Sequence, residues 1–134
     1  MKRILTFIPL TCAFVLTLAA QDVPAKFAPI QQSGDTTIIC TKTFGKDIRG
    51  YNRDTPLKIY LLKGKIVKVE AMTNRETREY FALVKEKLLN AWNGLTVKEA
   101  KAKKVDTVTE ATVSAKAVIE TLQRGLDYYE ENKK

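Results

Sequence analysis

Apolar and polar positions change rhythm along the chain, and each rhythm implies an element. Leu57, Ile59 and Leu61 alternate with Lys58, Tyr60 and Leu62; after Lys63-Gly64-Lys65, Val67, Val69 and Ala71 alternate with Lys68 and Glu70. A period of two broken by a glycine turn predicts a hairpin over 56–72, with one apolar face and one lysine-bearing face. Phe81, Val84, Leu88 and Trp92 then recur at helical spacing, which predicts a helix near 74–92. Thr73 and Glu76 read as its capping box, Asn93-Gly94 as its terminator, and Trp92 as a core residue. Thr96 and Glu99 open a second, short helix near 97–103. Ala115, Val118, Ile119, Leu122 and Leu126 stripe a closing helix near 113–130, which starts around Thr112 or Val113. The run Thr36 to Thr41 supplies a further strand near 36–41. A small antiparallel sheet with helices packed on one face is an α+β fold.

The first residues follow a different pattern. Lys2 and Arg3 precede an uncharged apolar run, Ile4 to Ala20, and small residues follow at Ala19, Ala20 and Ala25. This is the layout of a secretory signal peptide over residues 1–20. Cleavage after Ala19, Ala20 or Ala25 fits equally; the rival reading is an uncleaved membrane anchor, although the run is slightly short for a spanning helix and contains Pro9. Pro24, Pro29 and the polar stretch Gln31-Gln32-Ser33-Gly34-Asp35 read as a linker over 21–35, which leaves 36–134 as the domain. Loss of Lys2 and Arg3 with the leader takes the net charge from +8 to +6. The remaining cations are interleaved with acids from Lys26 to Lys134, so the surface is a mildly basic solvated one and not a nucleic-acid face.

Two residue counts restrict the chemistry. Histidine is absent, which excludes histidine-built zinc sites and Ser-His or Cys-His nucleophile pairs. Beyond the leader, Cys40 is the one cysteine, set in the apolar run Thr37-Ile38-Ile39-Cys40, and reads as a buried structural thiol. With no catalytic acid or base in view, redox or group-transfer chemistry here requires a cofactor.

One stretch is out of keeping with the rest. Val105 to Val118, VDTVTEATVSAKAV, carries Thr107, Thr109, Thr112 and Ser114 where loop passes into the last helix. A helix start presents unpaired N–H groups and a partial positive charge, and phosphate binds well there. Thr109, Thr112 and Ser114 are candidate hydroxyl donors, and Ala111 leaves room for close approach. The plainer reading is ordinary capping by Thr112.

The same stretch resembles the flavin-attachment motif of the FMN-binding domain family, to which the C subunit of the Na⁺-translocating NADH:quinone reductase and the G subunit of Rnf electron-transport complexes belong. That motif runs Asp, two variable residues, Ser or Thr, a small residue usually Gly, then Ala-Thr. Asp106, Thr107, Val108, Thr109, Glu110, Ala111 and Thr112 fill those places in order, and Ser114 matches a Ser typical of the family. The likeness extends from Gly50 and Tyr51 through the hairpin and both long helices to Tyr129.

The resemblance implies FMN as cofactor, joined by a phosphoester to the threonine at Thr112, through the action of an FMN transferase. It implies supporting roles at the phosphate for Thr109, Ala111 and Ser114, recognition by the transferase for Asp106, charge balance from Lys116 and ring contact from Tyr51. It also implies an exported, membrane-associated electron carrier, periplasmic or on the outer face of the cytoplasmic membrane, that serves a membrane or exported electron-transfer partner, and not a stand-alone enzyme. Glu110 departs from the family's usual glycine. If that position has φ > 0, a side chain costs about 1–2 kcal/mol. Glu110 therefore favours an alternative, a flavin-free exported binding module that retains the fold. A third reading is an adaptor held against anionic lipid by its basic surface, with salt-sensitive attachment.

Overall fold

The computed structural model describes residues 27–133; the expected leader lies outside the described residues. Four strands form one antiparallel meander in the order β1 (Ile30–Ser33), β2 (Thr36–Cys40), β3 (Leu57–Leu62) and β4 (Lys65–Ala71). Three helices follow: α1 (Arg78–Lys87), α2 (Val97–Ala102) and α3 (Thr112–Asn132). The architecture is α+β, as the hydrophobic pattern implies.

The hairpin is built on its turn. Lys63 and Gly64 both take positive φ, 51° and 76°, which suits a two-residue turn whose twist matches the strands. Leu57, Ile59 and Leu61 point into the core, as their alternation requires. On β4 the expected phase is interrupted. Tyr60 pairs with Lys68 but Leu61 pairs with Ile66, so Val67 is an extra residue at a β-bulge. Ile66 is consequently buried in place of Val67, which is 46% exposed. Val69 returns to the core.

β1 occupies part of the stretch read from sequence as linker. Its register runs from Ile30 opposite Ile39 to Ser33 opposite Thr36, and Gly34, at φ 58°, opens the turn between the strands. The strand is half-buried to exposed, and backbone pairing with β2 defines it more than burial does.

α3 is the spine of the core. Ala115, Val118, Leu122 and Leu126 are fully buried against Ile39, Leu57 and Ile59 of the sheet. Gly125 permits this approach: a β-carbon there would lie 2.8 Å from Ile59 Cδ1 and 3.1 Å from Thr41 Cγ2. Phe81 and Val84 of α1, with Val97 and Ala100 of α2, close the sides. Trp92 is completely buried, and its indole N–H has no hydrogen-bond partner.

α1 is shorter than its apolar spacing suggests. Its N-cap is Thr77, with no side-chain cap, and no capping box forms between Thr73 and Glu76. The Glu76 N–H is accepted instead by Asn74 Oδ1 at 3.0 Å, and the Glu76 carboxylate turns to other partners. The helix ends at a Leu88 C-cap, ahead of Asn93-Gly94. Gly94 instead donates to the Ile66 carbonyl at 2.7 Å, and the Ile66 N–H donates to Leu95 at 2.8 Å, which fastens the chain to β4. α2 starts as its sequence indicates, with Thr96 Oγ1 accepting the Glu99 N–H at 3.2 Å. α3 begins at Thr112, as the pattern allows, behind an Ala111 N-cap, and runs to Asn132, slightly beyond the expected end near 130.

Candidate functional site

Three segments distant in sequence meet at one cleft of about 560 Å³. Tyr51 comes from the loop before β3, Glu76, Thr77 and Tyr80 from the start of α1, and Glu110, Ala111, Thr112, Val113 and Ser114 from the start of α3.

The α3 wall follows from local backbone geometry. Thr109 and Glu110 form a turn in which the Ala111 N–H donates to the Val108 carbonyl at 3.0 Å. Glu110 sits at φ 73°, the left-handed region that disfavours side chains. The chain then enters α3 with no side-chain cap and no acid in the first turn. The helix start therefore keeps its partial positive charge with no capping side chain and no acid of its own in the first turn. Thr112 is exposed there; its hydroxyl makes only a long bond, 3.4 Å, to the Val108 carbonyl.

The other two walls carry aromatic rings. Tyr51 is 75% exposed and Tyr80 50% exposed, both large for surface aromatics. Val113, in the first turn of α3, adds an exposed apolar side chain to the lining. Tyrosine offers a flat apolar face with a polar tip, suited to a planar ligand that has both characters.

Glu76 joins the three walls. Its Oε1 accepts the N–H groups of Asn52 at 2.9 Å and Arg53 at 3.2 Å; its Oε2 accepts the N–H of Tyr51 at 3.1 Å and the hydroxyl of Ser114. Burial by itself would raise the Glu76 carboxyl pKa. The Ser114 hydroxyl, then the N–H groups of Asn52, Arg53 and Tyr51, favour the charged form more strongly and hold it below the ordinary glutamate range.

Of the residues singled out in the sequence, Tyr51, Glu110, Ala111, Thr112 and Ser114 line the cleft together. Asp106, Thr109 and Lys116 are exposed and stand outside its lining. Ser114 is buried and spends its hydroxyl on Glu76, so its hydrogen goes to the scaffold. Glu76 and Tyr80 were not recognisable as site residues from sequence. The apparent capping box accounted for Glu76, but a tyrosine on the polar face of α1 was a usable signal. Cys40 is buried and donates to Met72 Sδ at 3.6 Å, away from the cleft.

A family model described as FMN-binding domain matches residues 50–127. The chain belongs to the FMN-binding domain family. Searches of curated proteins and of solved structures returned no match. FMN is accordingly the cofactor, and the cleft can be tested for fit. Its volume lies within the roughly 300–1,000 Å³ of small-ligand sites. An uncapped helix start with an exposed hydroxyl suits the phosphate, and two exposed tyrosines with Val113 suit the ring system. The Glu76 carboxylate, although it lines the cleft, already accepts four hydrogen bonds within the protein. Glu110 is the lining acid whose carboxylate accepts no such set of bonds, and it is the feature most opposed to an anion. The residues present fit FMN.

Proposed function

We propose that the protein is an exported electron carrier with FMN attached through its phosphate to Thr112 Oγ1. The observation that carries this reading is the exposed Thr112, its hydroxyl held by one long bond, in the first turn of an uncapped helix on the wall of a cleft lined also by Tyr51 and Tyr80. An FMN transferase would bring the cofactor as an activated phosphoryl donor. In that transfer the Thr112 Oγ1–P bond would form, the donor's P–O bond would break, and the hydroxyl proton would leave with the departing group. Asp106, exposed ahead of the turn, is the residue for transferase recognition.

Bound FMN supplies one- and two-electron redox chemistry. The chain's part is to hold it: the N–H groups at the α3 start would bind the phosphate, and Tyr51 and Tyr80 would contact the ring. Export rests on Lys2, Arg3 and the apolar run behind them. An exported or membrane-bound electron-transfer protein is the partner this role requires. No helix among the described residues is long and apolar enough to cross a membrane.

Intact mass of the exported protein, co-expressed with an FMN transferase, tests leader removal and flavin attachment together. A mass increased by one FMN, with yellow colour that survives denaturation, is expected. An unmodified, colourless product rejects covalent attachment. The second reading, a flavin-free binding module, draws on one observation: Glu110 holds a strained φ of 73° and lines the cleft beside Thr112.

A further inference from the structure

Glu76 is only 8% exposed, yet no lysine or arginine pairs with it among the described residues. Its four donors come from two segments that lie on either side of it in sequence. Three are successive backbone N–H groups, Tyr51 to Arg53; the fourth is the Ser114 hydroxyl in the first turn of α3. The Asn52 side chain adds a bond to the Arg75 carbonyl at 2.9 Å, next to Glu76 in the chain. Gly50 faces the carboxylate so closely that a β-carbon would lie 2.8 Å from Oε1. Glu76 also borders a second, smaller cleft of about 330 Å³ between the end of β4 and α1.

A carboxylate needs no such arrangement to remain soluble in a protein surface. Burial has a cost that charge-assisted hydrogen bonds must offset. What this one accomplishes is geometric. It fixes the loop that carries Tyr51 and the helix start that carries Thr112 to the segment that leads into Tyr80.

The geometry points to Glu76 as the positioning residue of the cofactor cleft, setting the separation of its Tyr51 and Thr112 sides through the 51–53 backbone and Ser114. This rests on the reading of the cleft as the FMN site. Glu76 acts through these neighbours, because its acceptor sites are filled by them. A cleft held open in its binding shape avoids the ordering cost of closing a loose loop around the ligand.

Glu76→Gln separates positioning from mere stability. The glutamine carbonyl can keep the N–H bonds of Asn52 and Arg53. Its amide nitrogen then meets the Tyr51 N–H, donor against donor, while the Ser114 hydroxyl can turn and accept. The volume stays, but Tyr51 is released. The experiment uses the full mature chain made without an FMN transferase, titrated with free FMN and followed by flavin fluorescence quenching. Amide exchange at Tyr51, Asn52 and Arg53 is read in parallel.

Wild type is expected to quench the flavin, and Glu76→Gln to weaken the Kd by about tenfold. Exchange should quicken at Tyr51 and stay slow in β3. Ser114→Ala, which removes one donor only, should weaken FMN binding less, and it carries the test if Glu76→Gln does not fold. A folded Glu76→Gln protein, or failing that a folded Ser114→Ala protein, that binds FMN as wild type does overturns the proposal and leaves Glu76 a stabilising residue. Failure of the wild type to quench at all is a different result. It shows that the cleft does not hold free FMN, and the proposal falls with it, while covalent attachment is decided separately by the intact mass of protein made with the transferase.

Discussion

The backbone of Gly50 lies against the carboxylate of Glu76, where a β-carbon would meet Oε1 at 2.8 Å and Oε2 at 3.0 Å. A flexible side-chain end usually yields to such an intrusion. This one is held by the N–H groups of Tyr51, Asn52 and Arg53 and the Ser114 hydroxyl, so yielding would strip bonds from a buried charge. Gly50→Ala is therefore expected to destabilise the protein by about 1–3 kcal/mol. Urea denaturation followed by the fluorescence of Trp92, the chain's single tryptophan, measures this. An unchanged midpoint would mean that the loop accommodates the methyl group and that the carboxylate is less firmly held.

Thr112 offers a sharper division between fold and chemistry. Its hydroxyl makes one long bond to Val108 and supplies no N-cap, that position belonging to Ala111. Thr112→Ala is expected to abolish covalent FMN at a stability cost below about 1 kcal/mol. Thr109→Ala, outside the cleft lining, should load nearly as wild type does. Mass spectra and melting curves of the two variants, made with an FMN transferase, decide it. Retained flavin on Thr112→Ala moves the attachment point elsewhere.

The sequence exposed the framework more readily than the site. The alternation in β3 was legible because one face of that strand is covered and the other is not. The bulge at Val67 was not, since Val67, Val69 and Ala71 keep a perfect period of two while the backbone inserts a residue between pairs. β1 was hidden because Gln31, Gln32 and Ser33 bury little, and pairing with β2 alone makes them a strand. Gly34, a breaker by composition, opens the hairpin turn between β1 and β2. The cluster at Glu110–Ser114 was legible because hydroxyls were concentrated at a helix start. Glu76 was masked by a spacing that fits a capping box equally well. Only the tertiary structure shows its carboxylate turned to a loop some two dozen residues earlier.

Acid should act through the same carboxylate. The folded Glu76 pKa lies below the ordinary glutamate value, burial being outweighed by the Ser114 hydroxyl and the three N–H groups. Its contribution is present above the ordinary glutamate value and is lost as pH falls through the lower, folded one. The stability difference between wild type and Glu76→Gln should thus be full near about pH 6 and shrink below about pH 4. Urea midpoints of both proteins across that range provide the measurement. A difference that stays constant into acid would assign the effect of the substitution to packing or geometry and not to charge.

Glu110 is where strain and charge coincide. At φ 73° its side chain costs about 1–2 kcal/mol, and the residue lines the same cleft as Thr112, whose hydroxyl would accept the phosphoryl group. Glycine takes that φ freely, although its greater freedom in the unfolded chain returns about 0.5–1 kcal/mol of the gain. Glu110→Gly should therefore raise stability slightly, by less than about 1 kcal/mol, and raise flavin loading more clearly, because it also removes the opposed charge. Melting temperature and visible absorbance of the exported variant, beside wild type, read the two effects separately. Yellow protein from both identifies an electron carrier that tolerates Glu110. Colourless wild type beside a yellow Glu110→Gly variant means that this single position has closed a working flavin site. Colourless protein from both, with an active transferase present, leaves the flavin-free binding module as the function of the fold.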